Sequence, residues 1–183
     1  MMNISLSGLV NIVGLEGISL SPYLDSVGVV TIGIGTTKTE IPDLNLSHPD
    51  ITMDDAIFFL KKSITKYTDP INDALKVQIT QYQFDALTSW CYNVGVGGMK
   101  KSSLIRDINL KADYKTIYND FMKWNKPKEI IGRRTKEAKL YATGVYSEDG
   151  KALLFPVGAG HKPIYSRGKL INVFDVLKLY KLC

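Results

Sequence analysis

Glu16, Asp25 and Thr31 stand in the segment GLEGISLSPYLDSVGVVTIGIGTT, residues 14–37, with eight residues between the first two and five between the last two. Two carboxyl groups and a hydroxyl are the parts that hydrolysis of a glycosidic bond requires. One carboxylic acid protonates the departing oxygen, and a carboxylate handles the water or the developing cation. Glu16 falls where a helix is expected to end, at the negative pole of the helix dipole, with Leu15, Ile18 and Leu20 nearby to exclude water. Both influences favour the proton-bearing form that a general acid needs. Asp25, beside Ser26 in an expected turn, is read as solvated and ionised, and two carboxyls in unlike surroundings divide acid and base work. Thr31 on the following strand is expected to present its hydroxyl to the same face and orient a water. Each residue also has a plainer reading: a helix-end acid, a turn former, and a strand residue chosen for β-propensity. Chemistry alone leaves both readings open.

The elements that must position these residues follow from periodicity. Leu6, Leu9, Val10, Val13 and Leu15 give an incomplete apolar face over 5–16, and Gly17 stands where helices commonly stop. Pro22, a Ser-Val-Gly turn and the run Val29–Ile32 predict a small hairpin, and residues 38–50 read as loop. Thr52 and Asp55 resemble a capping box, and Met53, Ala56, Ile57, Leu60, Ile64 and Tyr67 predict a helix over 52–67. Thr80 and Gln83 cap another, with Phe84, Leu87, Cys91 and Val94 on one face, Gly95 past its end and VGVGG (94–98) as a turn. Shorter helices are expected over 102–109, 112–124 and 133–143, then strand around Leu153–Val157 and an apolar-rich helix over 169–182.

The bulk composition is that of a globular protein: 183 residues, 45% hydrophobic, 22% charged. No apolar run approaches the roughly eighteen residues of a membrane span. MMNISLSGLVNIVG lacks a basic n-region and a small-residue cleavage site, so the expectation is a soluble protein made in the cytoplasm. Cys91 and Cys183 form no framework; free thiols are the default, with a bridge between them in an oxidising compartment as the open alternative. His48 and His161 are the only histidines, too few for a metal cluster of the usual kind. The net charge of +5 divides into −4 over residues 1–50 and +9 over 51–183. That asymmetry suits a polyanionic partner such as bacterial wall, and equally a basic surface with no dedicated partner. Nucleic acid is the weaker candidate, because only KPKEIIGRRTKEAK clusters positive charge and no phosphate loop or zinc-finger spacing is present.

Residues 14–37 resemble the active-site segment of phage-type lysozymes, the endolysins of glycoside hydrolase family 24. Their motif, Glu, eight residues, Asp, five residues, Thr, is met by Glu16, Asp25 and Thr31, with TIGIG intact at 31–35. The similarity continues in family order through QYQFDALTSWCYNVG (81–95), SSLIRDIN (102–109), FMKWN (121–125) and GRRTKEAKLYATG (132–144), so it covers roughly 5–144. It implies an α+β lysozyme-like fold: a small β-hairpin lobe and a larger helical lobe joined by a long helix, with the cleft between them. It also implies cleavage of the β-1,4 bond between N-acetylmuramic acid and N-acetylglucosamine in peptidoglycan, inverting, without metal or cofactor. Glu16 would be the proton donor, with Asp25 and Thr31 positioning the water. Arg133 or Arg134 resembles the family arginine that supports the catalytic glutamate. Tyr92 and Asn93 fall where the helical lobe would border the sugar groove, with a core residue and a helix cap as the plainer reading.

Two departures matter. Many relatives carry His where this chain has Thr36, and residues 145–183 exceed the minimal family domain. The expectation is a catalytic domain at 1–144 and a C-terminal extension at 145–183 packed on it. The sharper readings of that extension are a wall-docking patch using Tyr146, Phe155, His161, Tyr165 and Arg167, or a site for an inhibitor or delivery protein. The expected setting is phage or prophage lysis by a monomer that a holin releases to the periplasm or wall. The alternatives are an antibacterial toxin delivered to rival periplasm and countered by an immunity protein, a lytic transglycosylase, or a non-catalytic wall binder. Asp25 and Thr31 favour the hydrolase, since a transglycosylase works with a lone glutamate.

Overall fold

The computed structural model describes residues 1–147 and 149–179, and these form two units. One comprises Met1–Asn11 and Ile64–Ser147; the other comprises Ile12–Ser63 and the described residues after 148. Among the described residues the helices are α1 (Leu6–Glu16), α2 (Met53–Ala74), α3 (Gln81–Lys101), α4 (Ser103–Asn109), α5 (Tyr114–Met122), α6 (Ile131–Thr143) and α7 (Val173–Leu179). Two antiparallel hairpins are built from β1 (Ser19–Leu24) with β2 (Val30–Gly33), and from β3 (Lys151–Leu154) with β4 (Lys169–Asn172).

The helical unit is organised by α3, whose side chains are buried without interruption from Phe84 to Cys91. Thr80 caps it: its hydroxyl accepts from the Gln83 N–H, while the Gln83 side chain accepts from the Thr80 N–H. Trp90 is fully buried, its ring edge-on to Phe121 and Trp124 at 6.2 and 6.0 Å between centroids. Phe84, Leu104, Ile117, Ala138 and Leu140 complete this core from α3, α4, α5 and α6. Burial of one such large apolar side chain contributes about 1.5–3 kcal/mol.

Two helix ends differ from the sequence pattern. The chain does break at Gly95, which has φ 76 and ψ 160, but helix resumes at once and runs to Lys101 instead of opening into a turn over 94–98. A positive φ costs glycine little, so the break stays confined to one residue. The helix expected to end at Tyr67 continues to Ala74 through Pro70. Proline forfeits one helical hydrogen bond. Packing of Tyr67, Ile71 and Ala74 against the Trp90 core offsets that loss, and the Asn72 side chain bonds both N and O of Met2 at 2.8 Å.

In the second unit, Ile32, Ile41 and Leu44 form a small core with Val30, Ile51 and Phe59 against them. The first turn of α2 is fixed by reciprocal bonds, Thr52 N–H to Asp55 Oδ2 at 2.9 Å and Asp55 N–H to Thr52 Oγ1 at 3.1 Å. The C-terminal elements depart from expectation. The strand starts at Lys151 and ends at Leu154, and residues 169–172, expected as helix, pair with it in the register Lys151↔Asn172 to Leu154↔Lys169. Leu170, counted on the predicted helical face, is 67% exposed on β4. The helix begins only at Val173, because Asn172 Oδ1 accepts from the N–H groups of Phe174 and Asp175 and so acts as its cap. The last residues of that expected helix, 180–182, and Cys183 lie outside the described residues. No described helix is long and apolar enough to cross a membrane.

Candidate active site

Glu16 is the last residue of α1, and its half-buried side chain leaves the helix where the chain turns. Gly17 makes that turn with φ 71, while its N–H still donates to the Val13 carbonyl at 2.9 Å. Ile18 follows with 1% exposure, and β1 then carries the chain to Asp25.

Asp25 organises the hairpin turn. Its Oδ1 accepts from the N–H of Val27 at 2.9 Å and of Val29 at 2.8 Å, while its own N–H donates to the Val29 carbonyl at 3.0 Å. Aspartate commonly stabilises turns this way. Both side-chain bonds fall on one oxygen, so the turn does not consume the carboxylate. Thr31 is 4% exposed, and its hydroxyl donates to the same Val29 carbonyl at 3.2 Å.

A residue the spacing did not point to joins them. Tyr23 pairs with Thr31 across the hairpin, and directly opposed residues of an antiparallel pair present their side chains to the same face. Burial, then Glu16, Tyr165 and Asp25, hold its phenol protonated well above the ordinary tyrosine range. Its position two residues before Asp25 was the available signal, because alternation brings i and i+2 to one side of a strand.

The remaining site candidates lie in the helical unit. Arg133 and Arg134 both engage Glu137: Arg133 Nε to Oε1 at 3.0 Å and Arg134 Nη1 to Oε2 at 3.1 Å. Ser89 Oγ adds a bond to Oε1 at 2.9 Å, and Arg133 Nη2 reaches the Ser89 carbonyl at 3.2 Å. Asn93 Oδ1 accepts from Arg134 Nη2 at 2.8 Å, and the Tyr92 ring lies 4.8 Å from that of Tyr67. Glu137 is therefore an ordering residue that the sequence pattern left unassigned. Its signal was local, since positions three and four after an arginine share its helix face.

A protein-family model described as phage lysozyme matches residues 13–137. The endolysin of Acyrthosiphon pisum secondary endosymbiont phage 1 is 37% identical over 134 residues, covering 73% of this chain and 87% of that one. The endolysin of Bacillus phage B103 is 34% identical over 152 residues, covering 78% of this chain; the chain spans only 55% of that relative's length. Among solved structures, an endolysin from Escherichia coli O157:H7 phage FAHEc1 superimposes with a TM-score of 0.73 at 32% identity, over 80% of this chain and 98% of that one. The architecture is thus the α+β lysozyme-like fold. The chain belongs to the phage lysozyme family.

Proposed function

We propose that this chain cleaves the β-1,4 bond between N-acetylmuramic acid and N-acetylglucosamine in peptidoglycan glycan strands, with inversion. Glu16 gives its proton to the leaving oxygen as the bond to the anomeric carbon breaks. A water forms the new bond from the opposite face and passes its proton to Asp25, with Thr31 holding that water in line. The observation that carries this reading is the Asp25–Val29–Thr31 bonding, which fixes a carboxylate and a hydroxyl in one turn and leaves one carboxylate oxygen outside the turn's bonds. Tyr92 and Asn93 contribute sugar contacts from the helical unit. Support of Glu16 by Arg133 or Arg134 belongs to the same proposal, both side chains being ordered by Glu137.

The setting that the relatives favour is lysis of a bacterial host by phage or prophage. The enzyme is made in the cytoplasm, and a holin gives it access to the wall. Residues 1–144 carry the catalysis and 145–183 form an extension on them.

Glu16→Gln keeps the shape of the side chain and removes its acid. The expected result is a folded protein whose release of reducing ends from purified peptidoglycan falls about 10²- to 10⁴-fold. Near-normal turnover would overturn the assignment. Mass spectrometry of the wild-type digest should show reducing muramic ends; a majority of 1,6-anhydro ends would identify a lytic transglycosylase instead.

A further inference from the structure

The short link between Glu16 and β1 is held by the extension. Ile18 donates its N–H to the Leu153 carbonyl and accepts the Phe155 N–H, both at 2.9 Å, a parallel bridge centred on Leu154. Gly17 is pressed against the same strand: a Cβ there would stand 3.0 Å from Phe155 Cε1 and 3.1 Å from the Leu153 carbonyl oxygen. Phe155 itself is 3% exposed. Its ring meets the Tyr23 ring edge-on at 5.4 Å and the Tyr165 ring at 5.0 Å. One side chain of the extension therefore touches the residue after Glu16 and the strand residue that pairs with Thr31 and lies two before Asp25.

We propose that Phe155 is a positioning residue of the reaction: wedged against Gly17 and Tyr23, its ring sets the spacing and orientation of the Glu16 and Asp25 carboxyl groups. The inference rests on the catalytic reading of Glu16 and Asp25 given above. Two hydrogen bonds fix the Ile18 backbone, but the direction in which Glu16 leaves α1 depends on Gly17, whose conformation carries no side chain of its own to restrain it. The Phe155 ring supplies that restraint from outside. It also packs edge-on against Tyr23, whose phenol lies in the field of Glu16, Tyr165 and Asp25. Errors of about 1 Å in such placement can cost on the order of a hundredfold in rate. A ring that only packed would alter melting temperature and leave the kinetics of the folded enzyme unchanged.

The test uses the full chain with purified peptidoglycan as substrate. Phe155→Ala and Phe155→Leu are compared with the conservative Phe155→Tyr and with Tyr165→Ala, whose side chain is 61% exposed and so carries little folding burden. Circular dichroism and melting curves confirm the fold, and kcat, KM and the pH dependence of kcat are then measured. The expected result is a fall in kcat of about tenfold to a hundredfold for Phe155→Ala and Phe155→Leu, with KM within about twofold and an altered pH profile. Phe155→Tyr should recover most of the rate, and Tyr165→Ala should lose less in the same direction. If Phe155→Ala fails to fold, the other three variants decide. Folded variants with wild-type kcat and pH profile overturn the positioning role. Glu16→Gln is run in parallel. If it stays active, the catalytic reading fails; if it is inactive while the Phe155 variants turn over normally, only the positioning role fails.

Discussion

Asp25 and Thr31 are joined through the backbone of one residue, Val29. The Val29 N–H donates to Asp25 Oδ1 at 2.8 Å, and the Val29 carbonyl accepts the Thr31 hydroxyl at 3.2 Å and the Asp25 N–H at 3.0 Å. The five-residue spacing between them is therefore the length of one hairpin turn closed on itself. Both of the turn's side-chain bonds fall on Oδ1, so the structural role of Asp25 is compatible with the catalytic role proposed for it.

Asn and Ala at position 25 should separate those two roles. Asn keeps an oxygen for the Val27 and Val29 N–H groups but cannot take a proton from water. Asp25→Asn is therefore expected to leave the melting temperature near wild type while kcat falls by about 10²-fold or more. Asp25→Ala should lose the same activity and in addition about 1 kcal/mol of stability. Equal stability losses in both variants would argue against the turn role; retained activity in Asp25→Asn would argue against the base role.

Thr31 is tested by removing the hydroxyl and keeping the shape. Thr31→Ser retains the donor and should retain most activity. Thr31→Val, similar in shape, should lose about tenfold or more in kcat, with about 0.5–1.5 kcal/mol from the lost bond to the Val29 carbonyl. Rates on purified peptidoglycan and chemical denaturation measure the two effects independently. Identical rates for Thr31→Ser and Thr31→Val would remove the hydroxyl from the mechanism.

The proposed division of labour, with Glu16 as acid and Asp25 as base to a water, predicts inversion at the anomeric carbon. Proton nuclear magnetic resonance of fresh digests should show the α-anomer at the new reducing end before mutarotation. Initial appearance of the β-anomer would make Asp25 a nucleophile and the reaction retaining.

What the sequence showed depends on distance along the chain. Capping pairs such as Thr80 with Gln83 and Thr52 with Asp55 lie three residues apart, and both are formed. Glu16, Asp25 and Thr31 sit within one short segment, so their spacing made a candidate group visible, while the choice between its two readings came from the resemblance carried by the later segments. The overrun of α2 past Tyr67 depends on tertiary packing of Ile71 and Ala74, which outweighs the local signal of Pro70. The late start of α7 reflects β3–β4 pairing, a register that no helical periodicity reveals. The contact of Phe155 with Gly17 and Tyr23 joins residues separated by most of the chain, and nothing in the local pattern of either segment announces it.

Alkaline pH should unfold the chain through groups that burial holds neutral. Burial pushes the Cys91 thiol from 9.0 up to about 12. Tyr141 rises from 10.0 to about 12 by burial and then the neighbouring Tyr82. Tyr146 also rises to about 12, by burial and by its bond to Asp85, although it is the most exposed to solvent of the three. Folding raises each value, so the folded state holds protons that the unfolded chain releases. The stability they contribute is full below about pH 9 and declines as pH climbs towards 12. Denaturation curves should be level from pH 7 to 9 and fall beyond, and Cys91 should resist alkylation at pH 8 until the protein is unfolded. Rapid labelling of native Cys91 would contradict the burial on which this rests.

Glu137 should be the costliest single change in the helical unit. Two guanidinium groups, with side-chain exposures of 10% for Arg133 and 0% for Arg134, share its carboxylate, and Ser89 donates to the same oxygen as Arg133. Removing one member of a buried charge pair leaves its partner uncompensated, at a cost of about 3–5 kcal/mol. Glu137→Leu is expected at the upper end of that range. Glu137→Gln should cost less, because its carbonyl oxygen can still accept from Arg133 and Ser89. Arg134→Leu should destabilise more than Arg133→Leu, since Arg134 is the more deeply buried and also holds Asn93 at 2.8 Å. Urea denaturation at neutral pH ranks the four variants. A loss below about 1 kcal/mol for Glu137→Leu would mean that the two arginines find water or other partners once it is gone.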